Sequence, residues 1–359
     1  MQQTFANPDD SPPDPDPGPA LTAAEEPARA RDWRRLLGEE LHLVIGVVAL
    51  IAIFTVLYPD TFATDSNVQN VARQAGILLA VAIGQAFALL VGGFDISVAA
   101  NMGLSATVGA LVMTDVGLEA GLVAGLATGT AMGVVNGLLI AWLALSPFVV
   151  TLGTLTFATG LANELSDGTS VVGLPDAFDA FGADDWGPIP ATVGIAVIVL
   201  VAAWFVLTRT RVGLYIFSIG GSRETCLLAG IRVVRYEILA YAICGFLAAI
   251  AGLMVSSRVG VGQAGIGQGY ELLSIATAVI GGVAIGGGVG RLTGVVLGVV
   301  LLSVLTTGLN IAGVSEFAQQ MVTGAVLIVA VLIGQWRARD PRRLLRAIAG
   351  TRLASQAPK

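Results

Sequence analysis

Asp95 lies in the stretch VGGFDISVAAN at 91–101 and is the only charged residue between Arg73 and Asp115. A carboxylate inside an apolar run is costly and therefore marks a role. Three kinds of chemistry suit it. Paired glycines permit a sharp turn, and an aspartate ahead of an apolar run is a good N-cap, with Phe94 packing back as a staple. The same helix start can border a path for a polar solute. Proton coupling is the third role, although no second buried acid or basic partner accompanies Asp95.

The other polar residues within apolar runs are nearly all neutral. With Asp95, the candidate lining of a path comprises Ser97, Asn101, Asn136, Thr151, Thr154, Glu271, Ser274, Asn310, Gln319 and Gln320. Any one of them serves equally as a hydrogen bond between helices. As a set they suit a polyhydroxy solute better than a strongly charged one. Much chemistry is excluded. The single histidine, His42, opens the first apolar run, and Cys226 and Cys244 are the only cysteines. No Ser–His–Asp machine, histidine-based metal site or zinc cluster can be built from these, so no catalytic or metal-binding residue is expected. The chain has no GxxxxGK[ST], so nucleotide hydrolysis must come from another subunit.

The elements that position these residues are membrane spans. Of 359 residues, 55% are hydrophobic and 12% charged, with a mean hydropathy of +0.81, which is the composition of an integral membrane protein. The 46 glycines favour closely packed helices, and the runs lack the alternation of barrel strands. The expected class is an all-α membrane protein of about ten helices, near 41–58, 71–92, 95–114, 119–143, 147–163, 190–208, 236–257, 271–288, 292–312 and 317–335. As one straight helix, 71–114 would run about 66 Å, so VGGFDIS must turn or break it.

Arginines cluster before the first span, in the loop 209–235 and after the last span, while the loop 164–188 is acidic. The positive-inside rule places the arginine clusters and both termini in the cytoplasm, and ten spans satisfy the parity. Residues 1–35, rich in proline and aspartate, read as a disordered cytoplasmic tail, 36–336 as the transmembrane domain, and 337–359 as a basic cytoplasmic tail. GFDIS at 93–97 is echoed by GYELLS at 269–274, and SPFVVTLG at 146–153 by SEFAQQMVTG at 315–324. By this topology the echoes face opposite sides, as an inverted repeat of spans 2–5 and 7–10 requires. The loop after the sixth span reads IGGSRETCLLAGIRVVRYE, in which Ser222 can cap a short helix at 223–229 and Gly230 can end it. Such a helix can lie on the membrane surface or insert into a soluble partner.

VGGFDISVAANMGLSA, GVVNGLLIAWLALSPFVVTLGTLTFATGLA, RVGLYIFSIGGSRETCLLAGI, GYELLSIATAVIGGVAIGGGVGRLTG and LTTGLNIAGVSEFAQQMVTGAVLIVAVLI together resemble the permease subunits of ribose-type ABC sugar importers. The resemblance runs in order from about residue 70 to 335. It implies a subunit of the cell membrane that is not itself an enzyme and pairs with a second permease copy or paralogue. It also implies solute delivery by an extracytoplasmic binding protein and drive from a cytoplasmic ABC ATPase, which holds the ATP and Mg; nucleic acid is not among the partners. The family's ATPase-coupling helix, GGN-x-EAARLSGI, maps onto Gly220, Gly221, Ser222, Arg223, Glu224, Thr225, Cys226, Leu227, Leu228, Ala229, Gly230 and Ile231.

The chain departs from the family pattern at Ser222, Thr225 and Cys226, at Ala99 and Ala100, and at Leu273 and Thr323, where aspartate and lysine are frequent. Those at Ser222, Thr225 and Cys226 are size-tolerant and leave the helix intact, and the last two remove charge and bear on the solute rather than on the fold. The competing function is an ion-coupled secondary transporter of a small polar solute, which expects several buried acids or bases. An intramembrane enzyme would need paired catalytic groups that the spans lack.

Overall fold

The computed structural model describes residues 33–338, so the tails expected at 1–35 and 337–359 fall almost wholly outside the described residues. Contacts divide the chain after Glu39, and the helices pack together within the unit that begins at Glu40. The helices are α1 (Trp33–Leu57), α2 (Pro59–Phe62), α3 (Asp65–Leu90), α4 (Val98–Asp115), α5 (Leu118–Ala141), α6 (Pro147–Leu165), α7 (Ala191–Arg209), α8 (Arg211–Gly221), α9 (Arg223–Leu228), α10 (Val233–Val259), α11 (Tyr270–Ile280), α12 (Leu292–Ile311) and α13 (Glu316–Ala338). Among the described residues, the only sheet is a hairpin pairing Asp185–Trp186 with Ile189–Pro190. The protein is an all-α, multi-pass membrane protein.

Among the described residues, seven helices are long and apolar enough to cross a bilayer: α1 from Glu40, α3, α5, α6, α7, α10 and α12. They coincide with seven of the ten expected spans. The expected spans 95–114, 271–288 and 317–335 fall on α4, α11 and α13. The run at 271–288 differs most, because α11 stops at Ile280 and Gly281–Arg291 continues without helix.

Packing follows the small residues. Gly121, Gly125, Gly129, Gly133 and Gly137 recur every fourth residue on one face of α5, and this face meets α4 and α10 backbone to backbone. A Cβ at Gly137 would stand 2.7 Å from the Ile238 Cα, and one at Gly125 2.8 Å from the Ser105 carbonyl. Close backbone approach is how membrane helices gain dispersion energy where lipid offers no hydrophobic drive. At the centre lies α3, buried throughout Gly76–Leu90 and packed against α7, α10, α11 and α12.

Two crossings are broken. Asn101, near the start of α4, donates to the carbonyls of Gly129 and Gly245 (3.1 and 3.3 Å). Counted at 1.5 Å per residue from Ala141 and from Val233, both glycines lie about 18 Å from the arginine-rich end, so α4 starts near mid-membrane. Residues 91–97 make up the rest of that crossing as non-helical chain. The second break is the reverse. Beyond Val259 the chain re-enters from the acidic end, laying Gly262 on Ala106 and Ala110, and Gly267 on Ala99. There α11 begins, at the level of the α4 start, and its 11 residues continue toward the arginine-rich end. The two half-crossings run in opposite directions, as an inverted repeat requires.

The acidic loop folds over the opposite end. Phe178 is buried beside Met113 and Leu253, Ser257 donates to the Phe178 carbonyl (2.7 Å), and Arg73 binds Asp185 (2.7 Å). Glu164, Asp167, Asp176, Asp179, Asp184 and Asp185 all remain exposed.

Candidate functional site

Asp95 is 1% exposed and forms the hub of a polar knot. Its Oδ1 accepts from the Ser97 backbone N–H (2.8 Å) and the Ser97 hydroxyl (2.5 Å), and its Oδ2 accepts from Asn136 Nδ2 (3.3 Å). Asn136 Nδ2 also donates to Ser97 Oγ (2.8 Å). The expected cap role is corrected here: Ser97 holds the N-cap position of α4, and Asp95 closes a turn two residues earlier. The reason is local. Residues 93–95 are non-helical chain and Ile96–Ser97 a turn, and the carboxylate satisfies the nearest amide, that of Ser97, before helix begins.

The knot recruits residues that motif reading does not single out. Turned so that its nitrogen faces the Asp95 carbonyl, the Gln85 amide makes two bonds to the Asp95 backbone. The Tyr241 hydroxyl donates to the Phe94 carbonyl (3.4 Å), and Ser105 donates to Asn101 Oδ1 (3.3 Å). A glutamine two turns before a glycine pair is the only sequence signal for the first of these.

The remaining path candidates separate into three places. Glu271 and Ser274 lie on α11, where Glu271 Oε2 accepts from the Gly269 N–H (2.9 Å) and Ser274 is buried. Beside them, Gln268 is exposed on the re-entrant segment. Asn310 and Gln319 bond each other (2.7 Å) at the acidic ends of α12 and α13, with Gln320 exposed next to them. Thr151 is buried on α6 and donates to the Pro147 carbonyl (2.8 Å), and Thr154 donates to the Val150 carbonyl (3.1 Å). The first of these places, with Asp95, Ser97 and Asn101, puts polar groups at or near the two helix starts in mid-membrane.

At the arginine-rich end, α9 forms as its residues dictate. Ser222 Oγ accepts from the Thr225 N–H (3.3 Å), and the left-handed Gly230 lets the Ile231 N–H close on the Cys226 carbonyl (3.0 Å). Cys226 packs with Ile219 and Val233, while Leu227 and Leu228 point outward, Leu228 being 91% exposed. The Glu237 carboxylate holds the Arg223 guanidinium above its ordinary pKa, chiefly by hydrogen bonding. The preceding segment, read from sequence as loop, is the helix α8 with Gly213, Ile216 and Ile219 buried.

The end of α8 meets both broken crossings in a junction of bare backbone. The Gly288 N–H donates to the Leu90 carbonyl (3.0 Å). A Cβ at Gly220 would collide with that carbonyl oxygen and with the Gly288 nitrogen, and one at Gly287 would stand 2.8 Å from both Gly220 Cα and Gly92 N. Gly92 and Gly287 have φ of +88° and +85°, a conformation that favours glycine.

Among known proteins, the chain is 38% identical to the ribose import permease protein RbsC of Bacillus subtilis over 298 residues, covering 82% of this chain and 92% of that protein. It is 35% identical to the D-allose transport system permease protein AlsC of Escherichia coli over 287 residues, 79% and 88% of the two chains. With the L-arabinose transport system permease protein AraH of Escherichia coli it shares 34% over 300 residues, 83% and 92%. No solved structure matches. Residues 67–331, which include both broken crossings, α8, α9 and the glycine junction, match one family over well more than half of the chain, and the chain belongs to that family, the branched-chain amino acid transport system/permease components.

Proposed function

We propose that this chain is the membrane-spanning subunit of an ATP-driven importer that passes a monosaccharide or similar polyhydroxy solute. The observation that carries the reading is the meeting of two helix starts, those of α4 and α11, near mid-membrane among mostly neutral hydrogen-bonding groups. Broken helices of this kind place free amides and positive dipole ends where a polar solute must shed water. Gln268 is exposed and Glu271 partly so at that level, and neither is suited to lipid. They point to a water-filled path or a second permease copy. The neutral character of the set, together with relatives whose names specify ribose, D-allose and L-arabinose, favours a sugar.

The arginine-rich end is then cytoplasmic, with both termini, and α9 is the docking helix for a separate ATPase that binds ATP and Mg. The exposed Leu227 and Leu228 supply apolar side chains for a cleft in that partner. An extracytoplasmic binding protein delivers the solute to the acidic end. The test is uptake of labelled ribose, allose and arabinose into vesicles holding the permease, its ATPase and its binding protein. Uptake should require ATP and the ATPase. Uptake driven by a proton gradient without ATP would overturn the reading, and calorimetry on the binding protein would name the solute.

A further inference from the structure

One face of α10 carries three attachments, each four residues from the last. One turn in from its start, Glu237 is 7% exposed and takes Arg223, the first residue of α9, in a two-point bridge: Nε to Oε1 at 2.9 Å and Nη2 to Oε2 at 3.4 Å. One turn on, the Tyr241 hydroxyl reaches the Phe94 carbonyl beside Asp95 and packs on Gly93. One turn further, the Gly245 carbonyl accepts from Asn101 near the start of α4. Residues four apart share a helix face, so a single rigid rod joins α9, the loop of the polar knot and α4. Among the described residues, the bridge is the only polar side-chain tie between α9 and a membrane helix.

We propose that Arg223 and Glu237 are positioning residues, whose bridge makes α10 follow α9 and so moves the Asp95 loop and the α4 start as the partner ATPase cycles. This rests on the reading of α9 as the docking helix. The Arg223 side chain is 47% exposed, so the bridge adds little to stability and its worth lies in direction. Two charge-assisted N–H···O bonds fix orientation, which the non-directional apolar packing of Cys226 on Ile219 and Val233 does not.

The test uses the assembled permease–ATPase complex in vesicles with its binding protein, reading ATP hydrolysed per solute taken up. Arg223→Gln and Glu237→Gln should still assemble with the ATPase, yet raise that ratio at least about fivefold, the lower end of typical coupling between sites. The exchange Arg223→Glu with Glu237→Arg should bring the ratio back toward wild type. Single variants with the wild-type ratio, or an exchange no better than the single variants, overturn the proposal. Should the Glu237 variants fail to fold, Arg223→Gln decides alone, because its side chain is half exposed. A wild-type complex without ATP-dependent uptake removes the importer reading and the bridge's role with it. A working wild type matched by Arg223→Gln removes the bridge's role only.

Discussion

The Gln85 side chain pairs with the backbone of Asp95 at two points, 3.0 Å to its carbonyl and 3.1 Å from its N–H. A side-chain amide here does for one residue of non-helical chain what a neighbouring strand does in a sheet. Gln85→Leu keeps most of the volume and removes both partners, leaving two buried backbone groups at about 1–3 kcal/mol each. The purified variant should melt several degrees lower in detergent, and a melting curve matching wild type would refute the pairing.

Asp95→Ala tests the knot against a simple cap. A lost cap costs about 1 kcal/mol. The structure instead leaves the Ser97 N–H, the Ser97 hydroxyl and one Asn136 donor without their acceptor, at roughly 1–3 kcal/mol for each group that stays unpaired. Denaturant unfolding should therefore show a loss clearly above that of a cap, with Asp95→Asn intermediate.

Adjacent glycines offer a controlled comparison at the junction. Gly220→Ala forces a methyl group into the Leu90 carbonyl and the Gly288 nitrogen, while Gly221→Ala meets nothing within 4 Å. The first should cost about 1–3 kcal/mol as overpacking and depress uptake. The second should leave melting and uptake at wild-type values. Equal behaviour of the two would refute the close approach.

Leu228 is 91% exposed at the end of α9. Leu228→Asp should change the permease's own stability by no more than about 0.5 kcal/mol, as a surface substitution does. It should weaken ATPase capture by about 2 kcal/mol, the scale of an interface hot spot. Co-purification from detergent at graded ATPase concentrations would read the shift directly.

The spans were legible wherever an apolar run coincided with an unbroken helix, as in α5, α7, α10 and α12. The short helix α9 was legible because Ser222 and Gly230 bracket it. The half-crossings were not. Residues 260–269, GVGQAGIGQG, are too polar and glycine-rich to read as part of a span, and only tertiary contact with Ala99 and Ala106 reveals their depth. The run after α11 is apolar enough to continue it, yet Gly281 and Gly282 release the chain toward the junction. In α8, the spacing of Gly213, Ile216 and Ile219 carried a helical period that flanking arginines and glycines obscured. Asp95 was recognisable as special, but its partners Gln85 and Asn136, and Tyr241 on the neighbouring Phe94 carbonyl, come from three different helices, and no local pattern links them.

The glycine junction has one further consequence. Where side chains interlock, relative movement means repacking rotamers one after another, and the friction is set by the bulkiest of them. Gly92, Gly220 and Gly287 offer no rotamers at all. Their contact has a clearance fixed by backbone van der Waals radii, with no flexible part to absorb an added atom. Such a surface tolerates mutation badly.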